Sequence, residues 1–159
     1  MRAANECVTV WNRYRDDESR QDRWVGHVVH GCAWHFLDDR INILIGFERN
    51  VAVEYKSPHV WRDLDDEGKT KFFTVREGDV LARGERIEKT SAFGTHDTSP
   101  PLWRHPLSKG DLGMLDVDGE QMTVSDLREL LGRDMCVVTQ VADNTLDERH
   151  GRHLNVAGR

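Results

Sequence analysis

The chain has 159 residues, of which 38% are hydrophobic and 31% are charged, and its formal net charge is −6. A chain of this length is typical of one domain that can bury a core without metal or disulfide staples. The acidic balance disfavours a general nucleic-acid binder, because phosphate contacts require clustered Lys and Arg. We therefore expect a single domain over residues 1–159.

Strands are the dominant prediction for the first half, because apolar and β-branched residues alternate there. They are predicted over 7–11, 24–35, 41–47 and 51–55. The first two form a hairpin with a long polar loop over about 12–23, and Gly26 and Gly31 are predicted bulge points. Ser57-Pro58 ends the fourth strand, and the acidic run 63–71 predicts an exposed loop.

Glycine turns organise the second half. Residues 72–85 predict two apolar strands joined by a tight Gly78-Asp79 turn, and Asp118-Gly119 predicts another hairpin. The one predicted helix covers about 125–131, between an N-cap at Thr123 or Ser125 and a stop at Gly132. A last hairpin pairs 136–141 with 153–156.

These elements predict a mainly β fold. We expect a small antiparallel β-barrel or sandwich with one short α-helix near residues 125–131. Its long loops should lie at about 12–23 and 89–112.

Three scattered cysteines, Cys7, Cys32 and Cys136, argue against a disulfide framework or a zinc knuckle, because no CxxC occurs. Each lies in an apolar setting, so we expect small hydrophobic side chains in a reducing compartment. The N-terminus lacks a signal peptide, and the longest apolar stretch, residues 41–47, is too short to span a bilayer. The sequence thus predicts an intracellular or particle-borne protein without a membrane partner.

Motifs for catalysis are missing from the sequence. There is no GxSxG, Walker A or GxGxxG pattern, and Asp38-Asp39 and Asp65-Asp66 lie in polar runs typical of solvated loops. The stretch 116–120 is not a calcium loop, because Gln121 stands where a glycine is required. We expect no catalytic residues.

Eight histidines raise the question of a metal site. On a regular strand, His27 and His35 share a face while His30 points the other way, so the three do not converge. His150 and His153 lack the glutamate of an HExxH motif. The sequence therefore predicts structural or surface histidines, with neither a metal nor a cofactor.

Five tryptophans are present, and those at 11, 24 and 34 are predicted to be core residues. Trp61 and Trp103 lie in charged or proline-flanked surroundings and fit local packing and a protein interface equally well. The candidate interface consists of these two residues and of loop residues with charge or rigidity: Trp61, Trp103, Pro100, Pro101, Arg15, Asp17 and Arg20.

Three groups of residues carry a resemblance to a known family. They are the opening 8–14 with Trp24 and 28–34, the central 72–84 with Gly78-Asp79 and Arg83-Gly84, and the closing 138–144 with His150, His153, Val156 and Gly158. Together they cover about half of the chain. The pattern resembles the head-closure or head–tail adaptor proteins of tailed bacteriophages and prophages, which sit between the portal and the tail.

The resemblance implies a structural virion protein of the phage neck, with no catalytic residue and no cofactor. Such a protein is found in the virion at the head–tail junction, and in the host cytoplasm during assembly. Its partners would be itself, as a homo-oligomeric ring, together with portal or adaptor proteins, tail proteins and packaged DNA in the channel. The residues leave two alternatives open: a cupin-like metal-dependent enzyme, and a monomeric β-barrel module that binds a small ligand or peptide.

Overall fold

A computed structural model describes residues 6–15, 20–47, 53–87, 113–144 and 152–159. It confirms the mainly β prediction. The strands are β1 (Glu6–Arg15), β2 (Asp22–Leu37), β3 (Arg40–Gly46), β4 (Glu54–Tyr55), β5 (Phe72–Phe73), β6 (Val80–Arg83), β7 (Leu115–Val117), β8 (Glu120–Met122), β9 (Met135–Asn144) and β10 (His153–Gly158). The helices are α1 (Pro58–Arg62), α2 (Asp66–Lys71), α3 (Val124–Leu131) and a 3₁₀-helix (Gly132–Asp134).

Six strands close into an antiparallel barrel in the order β1-β2-β3-β10-β9-β6. The predicted hairpins β1–β2 and β9–β10 are confirmed. β6 closes the barrel by pairing with β1 on one side and with β9 on the other. Closure gives each of these strands two neighbours, so none of the six is an edge strand.

The barrel interior holds the larger of two apolar cores, which is built from alternate positions of the strands. Its fully buried members include Val8 and Val10 of β1, Ile43 and Ile45 of β3, and Leu154 and Val156 of β10. Phe73 and Val75 extend this core toward the end of the barrel where β1 ends.

The second core lies on the outer wall. Trp11 of β1 and Met135 of β9 point away from the interior and are covered by Leu115 and Leu127, which come from β7 and α3. The Trp11 indole Nε1 donates a hydrogen bond to the Asp116 carbonyl at 3.1 Å. The β7–β8 hairpin and α3 therefore form a patch against the barrel wall.

The local signals for this patch are confirmed. Asp118 and Gly119 both have positive φ, as the predicted tight hairpin turn requires. α3 begins with a capping box between Thr123 and Asp126, each accepting from the other's backbone N–H at 3.1 Å. Gly132, with φ of 57°, ends the helix.

The predicted hairpin over 72–85 is wrong. β5 pairs in parallel with β4, whereas β6 pairs with β1 and β9. Residues 74–79 therefore cross from one sheet to another instead of joining two partners. The Gly78-Asp79 turn does form, but its partners come from distant strands.

Two predicted loops are also corrected. β1 and β2 pair as far as Arg15 and Asp22, so residues 12–15 and 22–23, half of the loop predicted over 12–23, are strand. The polar residues fit because outward positions accept charge and Asn12 finds polar partners inside. The run 63–71 contains α2, since the Asp65 side chain caps that helix by accepting from Gly68 N–H at 2.6 Å. α1, which begins at Pro58, was also missed. The loop predicted over 89–112 lies outside the described residues.

The carboxylate of Asp79 joins the crossing to β1. It is fully buried. Its Oδ1 accepts from Arg13 N–H at 2.9 Å, and its Oδ2 accepts from Arg76 N–H at 2.9 Å and from Asn12 Nδ2 at 3.0 Å. Asn12 Nδ2 also donates to the Thr74 carbonyl at 2.6 Å. Every one of these donors is itself held in strand β1 or in the turn.

The backbone of the same turn binds β9. Gly78 N–H donates to the Val138 carbonyl at 2.9 Å, and Val138 N–H donates to the Asp79 carbonyl at 2.8 Å. Two residues, Gly78 and Asp79, thus connect β1, the crossing and β9.

Burial raises the pKa of Asp79 to about 6. The hydrogen bonds from Arg13, Arg76 and Asn12 and the positive charge of Arg76 act in the opposite direction and lower this pKa. The folded chain therefore binds this proton more tightly than the unfolded chain, whose Asp pKa is near 3.8. The contribution of Asp79 to the free energy of unfolding is greatest below that value and falls as the pH rises toward 6.

We predict that Asp79→Asn lowers the free energy of unfolding at pH 7 by about 2–4 kcal/mol, because an amide nitrogen would face donors that now have an acceptor. Urea denaturation measures this change. Glu77→Gln, an exposed neighbour in the same turn, is the control and should change stability by less than about 0.5 kcal/mol. The difference in free energy of unfolding between the wild type and Asp79→Asn should decrease as the pH rises from 3.8 to 6. Equal stability of the two proteins at pH 7 would contradict the role of Asp79.

Candidate functional site: an arginine-lined cleft

A cleft of about 770 Å³ opens at the end of the barrel where β1 ends and β2 begins. It is lined, among the described residues, by Arg13, Tyr14, Arg15, Arg20, Gln21, Asp22, Arg76, Glu77 and Gly113. Four arginines thus face the cleft against two carboxylates, on a chain whose net charge is −6. The cleft is a local concentration of positive charge on an acidic protein.

The strand geometry of β1 brings two of the arginines together. Arg13 and Arg15 are two residues apart and therefore share one face of the strand. Arg15 Nε donates to the Arg20 carbonyl at 3.0 Å across the β1–β2 connection. Arg20 has a φ of 57°, the left-handed conformation that suits a tight reversal.

Arg76 reaches the same cleft from the crossing. Its Nη2 donates to the Arg13 carbonyl, and its Nε lies 4.0 Å from Asp79 Oδ1. The Arg13 guanidinium lies over Gly78, where a Cβ atom would approach Nη2 to 2.7 Å. The φ of 93° at position 78 favours glycine, and a side chain there would displace the Arg13 guanidinium.

An aromatic layer supports the cationic side chains. The Tyr14 and Trp61 rings meet edge to face, with centroids 6.1 Å apart. Arg76 lies 5.8 Å from the Trp61 centroid, and Lys69 lies 5.1 Å from that of Tyr14 and 5.7 Å from that of Trp61. The Arg23 guanidinium also lies over the Tyr14 ring, 5.1 Å from its centroid. Ring faces attract cations without neutralising them, so the layer orients the charges and leaves them able to bind an anion.

The structure brings together part of the predicted interface. Arg15 and Arg20 both line the cleft. Trp61 lies beside it but is only 1% exposed, and its Nε1 donates to the Phe72 carbonyl at 3.0 Å. Of the two roles predicted for Trp61, local packing and a protein interface, the structure supports local packing. The buried Trp61 ring packs against Tyr14, which lines the cleft. Asp17, Pro100, Pro101 and Trp103 lie outside the described residues.

Sequence reasoning missed Arg13 and Arg76. A sequence signal for Arg13 exists, because Arg13 and Arg15 are two residues apart and would share a face of β1. The predicted strand ends at residue 11, before both of them. No local signal marks Arg76, which meets Arg13 across 63 positions of sequence.

The histidine prediction needs one correction. Gly31 has a φ of 73° and lies within a register shift of the β1–β2 pair. The shift reverses the alternation of faces for the residues that follow Gly31. His27 is buried and His35 is exposed, so the two do not share a face. Burial lowers the pKa of His27 to about 3, opposed by a hydrogen bond with the Lys69 backbone, so His27 is neutral at pH 7.

One group of three ligand-type side chains occurs among the described residues, outside the cleft. Cys7, His30 and Glu85 each offer one ligand atom, and these atoms lie within 4.8 Å of one another. In the part of the chain that the structure covers, no helix is both long and apolar enough to cross a membrane.

These features define a six-stranded, closed antiparallel barrel with a basic cleft at one end. The chain belongs to a family of unknown function, DUF6751, whose model matches residues 3–159. No curated protein and no solved structure matches the chain.

We predict that the cleft binds small multivalent anions. With free pyrophosphate tenfold above its Kd and ionic strength held constant, the melting temperature should rise by about 3–5 °C. The double variant Arg15→Gln/Arg20→Gln should lose most of this rise, because two of the four cleft arginines lose their charge. Arg40→Gln/Arg62→Gln removes the same charge from exposed positions outside the cleft and should keep the rise. An equal rise in both double variants would place anion binding elsewhere.

Proposed function

We propose that the protein is a structural component of the phage neck, which joins the head to the tail as part of a homo-oligomeric ring. The observation that carries the proposal is the arginine-lined cleft on an acidic subunit. The cleft residues sum to +2, so the rest of the chain carries −8. A second copy therefore offers the cleft a surface of opposite charge, which favours a head-to-tail contact between copies. A head-to-tail contact that closes on itself forms a ring.

The closed barrel supports the same arrangement. Because each of the six barrel strands has a barrel neighbour on both sides, copies would not associate by adding strands to one another's barrel. Association would use side chains and connecting segments instead. A rigid barrel with charged ends suits a ring subunit, whose position must be fixed relative to its neighbours.

Gly113, the first described residue after 88–112, lies at the cleft. Residues 88–112 join Ile87 to Gly113, and Gly113 lines the cleft. Gly113 N–H donates to the Asp22 carbonyl at 2.7 Å, which ties this end of the segment to the start of β2. Pro100, Pro101 and Trp103 belong to residues 88–112, which precede Gly113 in the sequence. We include this segment in the contact with portal and tail proteins.

The resemblance to phage connectors also converges on this region. The Gly78-Asp79 turn, which is part of the resemblance, holds Arg13 and Arg76 at the cleft. Two of the four cleft arginines, Arg13 and Arg76, therefore lie in segments that are similar to those proteins, whereas Arg15 and Arg20 lie outside them.

A monomeric binding module is the second candidate, because a volume of about 770 Å³ is within the range of small-ligand sites. The two functions differ in what the arginines contact. In a ring they contact a neighbouring subunit, so their charge governs assembly. In a module they contact only a ligand, and assembly into particles is not involved.

We predict that Arg15→Glu/Arg20→Glu blocks neck assembly when it replaces the wild-type gene in the producing phage or prophage. Electron microscopy should show heads without attached tails and infectivity reduced by at least about a hundredfold, since two reversed charges oppose the acidic surface that the cleft is proposed to meet. Deletion of residues 91–103 should give the same particles.

Arg40→Glu is a control for charge reversal away from the cleft, because Arg40 is exposed at the opposite end of the barrel. It should yield normal virions. Normal infectious virions from the Arg15→Glu/Arg20→Glu phage would refute the contact between the cleft and a neighbour. Circular dichroism of the purified variant confirms that the barrel is folded.

A further inference from the structure

Three residues of different ligand type meet on the outer wall of the barrel. They are Cys7 of β1, His30 of β2 and Glu85, which follows β6. Zinc in a tetrahedral site has ligand atoms about 3.3–3.6 Å apart, as follows from Zn–S distances near 2.3 Å and Zn–N or Zn–O distances near 2.0–2.1 Å. The three ligand atoms, already within 4.8 Å of one another, would reach that spacing by small side-chain rotations.

Cross-strand pairing places His30 beside Cys7. Thr9 pairs with Val28 and Val8 with Val29, so the same register, continued by one residue, sets His30 opposite Cys7. Residues directly opposite each other in an antiparallel pair share a face of the sheet. The register shifts only beyond this point, where Glu6 pairs with Cys32.

Hydrogen bonds on both sides hold Glu85 against β1. Gly84 N–H donates to the Cys7 carbonyl at 2.8 Å. The Thr9 hydroxyl donates to the Gly84 carbonyl at 2.8 Å and accepts from Arg86 N–H at 2.8 Å. The backbone at Cys7 and beside Glu85 is therefore fixed before any metal binds, which favours a preorganised site.

From this arrangement we propose that Cys7, His30 and Glu85 bind one Zn²⁺, with water as the fourth ligand. A thiolate and an imidazole select zinc over calcium or magnesium, which take oxygen ligands. The thiolate and the carboxylate together balance the charge of the ion. The site ties β1, β2 and the segment after β6 together, so zinc binding stabilises the fold.

This site is separate from the cleft. Cys7 and Arg15 lie near opposite ends of β1, about 25 Å apart along a strand with a rise near 3.3 Å per residue. The zinc proposal therefore stands or falls independently of the proposed role in the phage neck.

Metal titration of the full chain tests the proposal. After chelator treatment and dialysis, the wild type should bind about one Zn²⁺ per chain. Co²⁺ in its place should give the near-ultraviolet thiolate charge-transfer band and the intense visible bands of a tetrahedral site. Cys7→Ser should abolish the charge-transfer band, and His30→Gln should weaken zinc binding at least about tenfold. His35→Gln, an exposed histidine on the same strand, is the control and should bind zinc like the wild type.

Thiol labelling supplies a second readout that does not depend on spectra. Cys32 and Cys136 are buried, and burial raises the pKa of both thiols to about 12, so iodoacetamide should leave them unmodified in the native protein. Cys7 is half-buried and should be labelled, and zinc should slow its labelling at least about tenfold. Glu85→Gln should reduce this protection. Absence of zinc uptake by the wild type, or equal uptake by Cys7→Ser, His30→Gln and the wild type, would overturn the proposal.

Discussion

The buried carboxylate of Asp79 connects parts of the molecule that strand pairing leaves separate. Its three donors come from β1 and from the crossing that precedes β6. A buried carboxylate is costly unless its hydrogen-bonding capacity is filled, so this position is stable only while all of these donors are in place. Because Arg13 and Arg76 supply two of the donors, the network that secures the barrel also sets the backbone of the cleft.

Rigidity of the backbone and orientation of the charges are therefore linked at the cleft. The aromatic layer of Tyr14 and Trp61 orients Lys69 and Arg76 without removing their charge. Side chains that are ordered before binding lose less conformational entropy when a partner arrives. This advantage applies to a neighbouring subunit and to a small anion alike, since both present negative charge to the same arginines.

The sequence was sufficient for the elements whose signals are local. Alternation identified most barrel strands, Asp118-Gly119 identified a hairpin, and Thr123 to Gly132 delimited α3. The hairpin predicted over 72–85 is wrong because its strands pair over long range. No local pattern shows that β5 pairs with β4 while β6 pairs with β1 and β9. One extra residue near Gly31 reversed the face of His35, as a single-residue slip in a strand must.

For the cleft, the sequence identified Arg15 and Arg20 as contact residues but treated their surroundings as a loop. Because residues 12–23 are predicted as a loop, the strand spacing that relates Arg13 to Arg15 is not recognised. Arg76 is distant in sequence and joins the cleft only through the fold. The polar stretch at the end of β1 became strand because β2 pairs with it residue by residue, a stabilisation that composition does not reveal.

The order of strands in the barrel has a consequence for biosynthesis. β3 pairs with β10, which begins at His153, more than a hundred residues after β3 ends at Gly46. At translation rates of roughly 5–20 residues per second, that partner is made about 5–20 s after β3, so the barrel cannot close before then. During this interval the β3 edge can pair with other nascent chains. Chaperone protection on the ribosome would thus matter more for this protein than its modest size implies.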